Sequence, residues 1–235
     1  MSVNRESSFG ARLLRAQELS TYISQFQNYA PPRTEEGIGG FGELVSQVAW
    51  ANTEEAQFRQ LYNTAVVNRE QAFRKKPDSV VKLLVPIRSQ VLAQYGKKST
   101  EFNQIERIIR NIRDTRIIIK PATETTPEQT MSQSEQSFGS LTQYFSNLVS
   151  NLAQLPGYNP SNPMIQVGTL QNFVGQISQM NIEVAMRVQQ LYDSRNRRKT
   201  IYEDLHDRAL RIKAYVKANY GINSPEYKWI KGLLI

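Results

Sequence analysis

The sequence has no cysteine and a single histidine, His206, among its 235 residues. Those two absences exclude disulfide scaffolds, zinc fingers, Fe–S sites and thiol catalysis, along with any triad or metal cage that needs two such ligands. Long apolar runs are missing as well. Pieces such as Leu83-Leu84-Val85 and Ile117-Ile118-Ile119 fall far short of the roughly 18 residues a membrane-spanning helix requires. The opening residues, from Met1 to Gly10, contain no apolar stretch of the kind a secretory signal carries. A soluble, cytoplasmic protein is expected. An apolar fraction of 40% with 9% aromatics suffices to bury a core.

What is present is self-similarity. At a shift of 129 positions Glu6, Ser8, Phe9, Gly10, Leu19, Gln25, Tyr29, Pro31, Gly39, Val45 and Gln47 fall on Glu135, Ser137, Phe138, Gly139, Leu148, Gln154, Tyr158, Pro160, Gly168, Val174 and Gln176. A shift of 130 aligns Gln60-Leu61-Tyr62 with Gln190-Leu191-Tyr192. A shift of 125 then lays Tyr95-Gly96, Ser99, Glu101 and Phe102 over Tyr220-Gly221, Ser224, Glu226 and Tyr227. This order implies a tandem duplication. The first repeat is read as residues 1–119, the linker as 120–134 from its Thr, Ser, Gln and Pro content, and the second repeat as 135–235.

Each repeat is patterned for helices. Phe138, Leu141, Phe145, Leu148, Leu152 and Leu155 alternate steps of three and four, as does the weaker series Phe9, Arg12, Ala16, Leu19, Ile23 and Phe26. Each first helix is expected to end at its Tyr-x-Pro, because proline disfavours helical geometry in the residue before it. A net difference of five residues separates the second and third helices, which would put a continuous helix out of phase. A turn is therefore expected there in both repeats. Pro77 suits the first turn of the third helix, and Pro86 lies inside it. Gly96 and Gly221 are expected to stop their helices as left-handed caps, with Ser99 and Ser224 as the following N-caps. Residues 116–120 could form a short β piece. The expected fold is an all-α helical bundle of two tandem, pseudo-symmetric multi-helix repeats, with six long helices and two short ones.

No catalytic, cofactor or metal site emerges. Glu203-x-x-His206 matches half of a di-metal carboxylate site, but the second histidine is missing. Gly37-Ile-Gly39-Gly40-Phe-Gly42 lacks the preceding strand and following Lys-Ser/Thr of a phosphate loop and is read as a helix connection. The expectation is a non-enzymatic protein with no small-molecule substrate.

Charge supplies the functional signal. Residues 1–64 carry net −2, 65–120 net +8, 121–186 net −4 and 187–235 net +6, which together make +8. Each repeat is thus acidic early and basic late. Arg74, Lys75 and Lys76 in the first repeat, and Arg195, Arg197, Arg198 and Lys199 in the second, are the candidate contacts for a polyanion or a protein partner. A basic run of Arg107, Arg110, Arg113 and Arg116 steps by three and so spirals around its helix. Opposite charges in one chain suit head-to-tail contacts, so the leading expectation is a scaffold that self-associates or binds protein partners. The alternative is a nucleic-acid-associated protein that binds phosphate backbone without sequence specificity.

Overall fold

The computed structural model describes residues 8–114 and 127–235, and among them all regular structure is helical, with no strand. The helices are α1 (Phe9–Gln25), α2 (Ile38–Glu70), α3 (Val80–Tyr95), α4 (Thr100–Asp114), α5 (Pro127–Gln154), α6 (Val167–Tyr220) and α7 (Pro225–Ile230). Short 3-10 turns lie at Thr34–Glu36 and Pro163–Ile165, and a π turn follows α2 at Gln71–Lys75. No described helix is long and apolar enough to cross a membrane. The possible β piece at 116–120 lies outside the described residues, as does 120–126 of the expected linker. The remainder of that linker is helical instead. Pro127 opens α5, where its fixed φ and missing N–H cost nothing.

Local chemistry sets the helix boundaries. Ser8 caps α1 by accepting the N–H of Ala11 at 3.3 Å. α1 and α5 stop four residues earlier than their Tyr-x-Pro segments predict, because Asn28 (φ 59°) and Gly157 (φ 72°) turn the chain into the left-handed region first. The tyrosines then reach forward. Tyr29 Oη donates to the carbonyl of Glu36 at 2.8 Å, and Tyr158 Oη to that of Ile165 at 3.1 Å, each pinning a 3-10 turn. Burial, together with Tyr95, pushes the Tyr158 phenol up to about 12. Burial, Tyr215 and the neighbouring Glu36 raise that of Tyr29 further.

Gly39, Gly40 and Gly42 are helical residues of α2 rather than a loop. Gly40 has a packing reason. A Cβ there would lie 2.5 Å from the carbonyl oxygen of Thr34 and 2.9 Å from Cα of Glu35, so the 3-10 turn crosses the helix at a distance only glycine permits.

The expected turn between second and third helices occurs once only. After α2 the chain passes through the π turn and the segment 76–79 before α3, whereas α6 runs unbroken for 54 residues. Pro77 sits in that segment, ahead of the N-cap Ser79, rather than in the first turn of α3. α3 itself runs through Pro86. The two corners that follow match expectation: Gly96 (φ 85°) and Gly221 (φ 97°) stop their helices, and Ser99 and Ser224 accept the N–H groups of Phe102 and Tyr227 at 3.0 and 3.1 Å. With ψ at 158°, Gly96 is extended at positive φ rather than a left-handed helical cap.

The chain divides into two compact units. One comprises Met1–Gln60 with Gln189–Ile235, the other Leu61–Val188, so the divisions fall inside α2 and α6. Each unit draws on residues from both sides of 115–126. The core of the first unit places Ala16, Leu19 and Ile23 of α1 and Phe41 and Val48 of α2 with Leu205, Ile212 and Val216 of α6. That of the second places Leu84, Ile87 and Val91 of α3 and Ile105 and Ile109 of α4 with Phe145, Leu148 and Leu152 of α5.

Candidate functional site

The basic block at 195–199 lies on α6 in the first unit and faces acids of α2. Glu55 is the centre of the arrangement. Only 3% exposed, its carboxylate accepts Arg59 Nη2 at 2.8 Å, Arg195 Nε at 3.2 Å and, on the other oxygen, Arg198 Nη1 at 3.1 Å. Burial works to raise the pKa of this carboxyl. The hydrogen bonds from Arg59 and Arg195 and the charge of Arg198 outweigh it and hold the carboxyl below its ordinary value. Three guanidiniums around one buried carboxylate leave a local excess of positive charge. Beside them Arg197 Nη1 meets Glu54 at 2.8 Å and stands 5.9 Å from the Trp50 ring, while Arg198 lies 4.1 Å over the ring of Phe9. Lys199 reaches Glu203 at 4.0 Å on an exposed surface.

Farther along α6, Arg211 Nε donates to the buried Glu36 at 2.5 Å, a contact that raises the guanidinium pKa. Acids between residues 36 and 55 and arginines between 195 and 211 therefore meet within this unit. The sequence pattern named the arginines but not their partners. Glu54 and Glu55 stand some 140 positions away, and only the charge count by segment hints at the match.

The trio at 74–76 behaves differently. Arg74 and Lys75 belong to the π turn, where the N–H of Lys76 bonds to Gln71 O at 3.0 Å and the widened turn brings both Ala72 and Phe73 into the core. Lys75 pairs with Glu70 at 3.0 Å, Arg74 is half-buried and Lys76 is exposed. The seven candidate residues thus fall into two groups: 195–199 in the first unit and 74–76 in the second.

A third cationic surface lies on α4. Phe102, Ile105, Ile109 and Ile112 bury one face, leaving Arg107, Arg110 and Arg113 exposed, with Lys97 and Lys98 exposed at the preceding corner. Glu106 takes Arg88 at 2.5 Å and only weakly touches Arg110 at 3.7 Å. Arg107 and Arg113 have no ion-pair partner among the described residues. Arg116 of the same run lies outside the described residues.

For chemistry the arrangement offers little. No group of three or more His, Asp or Glu side chains is placed to hold a metal ion among the described residues. His206 Nδ1 sits 2.6 Å from the backbone oxygen of Ile235, beside Arg15 on Leu234 O at 3.0 Å and Lys213 on Leu233 O. Burial lowers the Lys213 pKa. These three side chains bind the last residues to the first unit. One cleft of about 330 Å³ lies beside Asp78, Asn172 and Gln176, and another of about 480 Å³ beside Glu35, Glu43 and Arg208. In the latter Arg208 is already held by Asp204 at 2.8 Å.

Similar contacts occur in the two units. In the first unit the Phe9 ring lies 4.7 Å from Tyr202 with Arg198 stacked on it, and Tyr220 Oη donates to Gln27 O at 2.8 Å. In the second, Phe138 lies 4.9 Å from Phe73 with Arg69 over it at 4.1 Å, and Tyr95 Oη donates to Pro156 O at 2.8 Å. No known protein family, curated protein or solved structure matches the chain.

Proposed function

We propose that this chain is a non-enzymatic structural protein, made of two tandem, pseudo-symmetric repeats, that joins further copies of itself or other proteins through charge-polarised surfaces. The observation that carries the reading is the pairing of early acids with late arginines, Glu36 with Arg211 and Glu55 with Arg195 and Arg198, across segments that recur in the sequence. The repeat is supported by the matched contacts of Phe9 and Phe138 and of Tyr220 and Tyr95. A chain that holds its own halves by such complementarity has the chemistry to hold another chain's. A cytoplasmic location belongs to the same proposal.

Light scattering of the purified protein across a concentration series, at low and high salt, tests it. Mass should rise with concentration and fall with salt. A monomer at every concentration in low salt, with no protein partner, overturns the proposal.

A second reading, binding of nucleic-acid phosphate, rests on one observation: Arg107 and Arg113 are exposed and without ion-pair partners among the described residues. Arg195, Arg197 and Arg198 are already engaged by acids of this chain. Neutralising Arg107, Arg110 and Arg113 should then reduce the salt dependence of duplex DNA binding by about three in log–log slope. Neutralising the 195–199 block should leave that slope nearly unchanged. Binding that is absent at low salt removes this reading.

A further inference from the structure

We infer that a second copy of this chain can supply the opposite repeat, so that chains join by exchanging repeats rather than by docking as closed molecules. This rests on the self-association proposed above and specifies its mode.

The argument starts from which residues meet. In the first unit the early part of the first repeat receives the late part of the second: Phe9 takes Tyr202 and Arg198, Gln27 takes Tyr220, and Glu55 takes Arg195 and Arg198. In the second unit the roles reverse. The early part of the second repeat, at Phe138 and Pro156, receives Phe73, Arg69 and Tyr95 from the late part of the first. Each repeat therefore presents one early surface and one late surface, and each surface is filled by the other repeat. Apolar packing follows the same rule, since α1 and early α2 pack with late α6, while α3 and α4 pack with α5.

None of these contacts depends on the covalent link between the repeats. In a pair of chains that trade second repeats, both units of both chains keep every contact described above. What is lost is the tether. A connection as short as residues 115–126 holds its partner at an effective concentration on the order of millimolar. Closed single chains are thus favoured in dilute solution, and exchange is favoured where chains fold together at high density. Traded repeats can close as pairs or continue as open chains, the two outcomes that complementary surfaces on one molecule allow.

The test uses two batches of full chain, one heavy-isotope labelled, each with a protease site placed within 115–126. They are unfolded, mixed, refolded together at high concentration, cleaved, diluted and weighed by native mass spectrometry. A control mixes batches that were folded and cleaved apart. Complexes pairing a first repeat with a second repeat of the other label, in either sense, are expected well above the control, together approaching half of all complexes. Oligomers by light scattering with parental pairs alone would overturn exchange while leaving self-association standing. Monomers with parental pairs alone would overturn both.

Discussion

At the scale of single residues, Glu55 concentrates the largest consequence in one carboxylate. Glu55→Gln keeps the shape but removes the charge that Arg59, Arg195 and Arg198 share. Losing one member of a fully buried pair costs about 3–5 kcal/mol; because Arg59 and Arg195 are 54% and 39% exposed, we expect about 2 kcal/mol by denaturant titration. Glu54→Gln, facing a half-exposed Arg197, should cost about 0.5 kcal/mol. Gly40→Ala tests the close approach of the 3-10 turn. Helix propensity favours alanine by about 1 kcal/mol, but its Cβ would press on backbone that cannot swing aside, so a net loss of about 1–3 kcal/mol is expected. Stability should also fall at both ends of the pH range. Tyr158, Tyr29 and Tyr202 have pKa values raised, chiefly by burial, so the folded state holds these protons more tightly than the unfolded chain, whose phenols titrate near 10.0. Their contribution is complete below that pH and is lost as pH rises through the raised folded values, about 12 for Tyr158. Tyrosinate absorbance and loss of helical circular dichroism should therefore rise together. Glu55 has the opposite sign: its contribution is present above the ordinary carboxyl pKa and is lost as pH falls through the lower folded value. Glu55→Gln should flatten that acid limb.

At the scale of elements, what was legible in the sequence was what neighbouring residues decide. The a/d series on α5, the stops at Gly96 and Gly221 and the caps Ser99 and Ser224 are all fixed within a few positions of themselves. The unbroken α6 was not legible, because matching Leu61 to Leu191 pairs a leucine 40% exposed with one 3% exposed. Arg69 and Phe73 meet Phe138 as Arg198 and Tyr202 meet Phe9, and from Phe73 to Tyr95 the chain is four residues longer than from Tyr202 to Tyr220. Four residues turn a helix by about 400°, within about 40° of full phase, and a helix lacking them runs on in register. Deleting residues 75–78 should accordingly fuse α2 and α3 while retaining cooperative unfolding. Deleting residues 76 and 77 alone shifts phase by about 200° and should abolish the cooperative transition. The partners of the candidate arginines were illegible for a different reason. Nothing local to Arg195 or Arg198 points to a glutamate on another helix.

At the scale of the whole molecule, each compact unit is assembled from segments on both sides of residues 115–126, and this makes a prediction independent of function. Cleavage within 115–126 should leave two fragments that elute as one complex, because both units cross the cut. The fragments should separate in denaturant and recombine on its removal, with a transition midpoint that depends on concentration. Fragments that separate under native conditions would contradict the division into these units.

The same division sets an order of events during synthesis. Contacts of the second unit close over separations such as 61 and 63 residues, whereas those of the first close over 190 and 193. Residues 8–60 must therefore wait, with Leu19, Ile23 and Phe41 uncovered, until the late part of α6 has been made. Contacts this distant in sequence form slowly, and the exposed face is an invitation to aggregate or to bind a chaperone. The beginning of this chain is the last part of it to become folded.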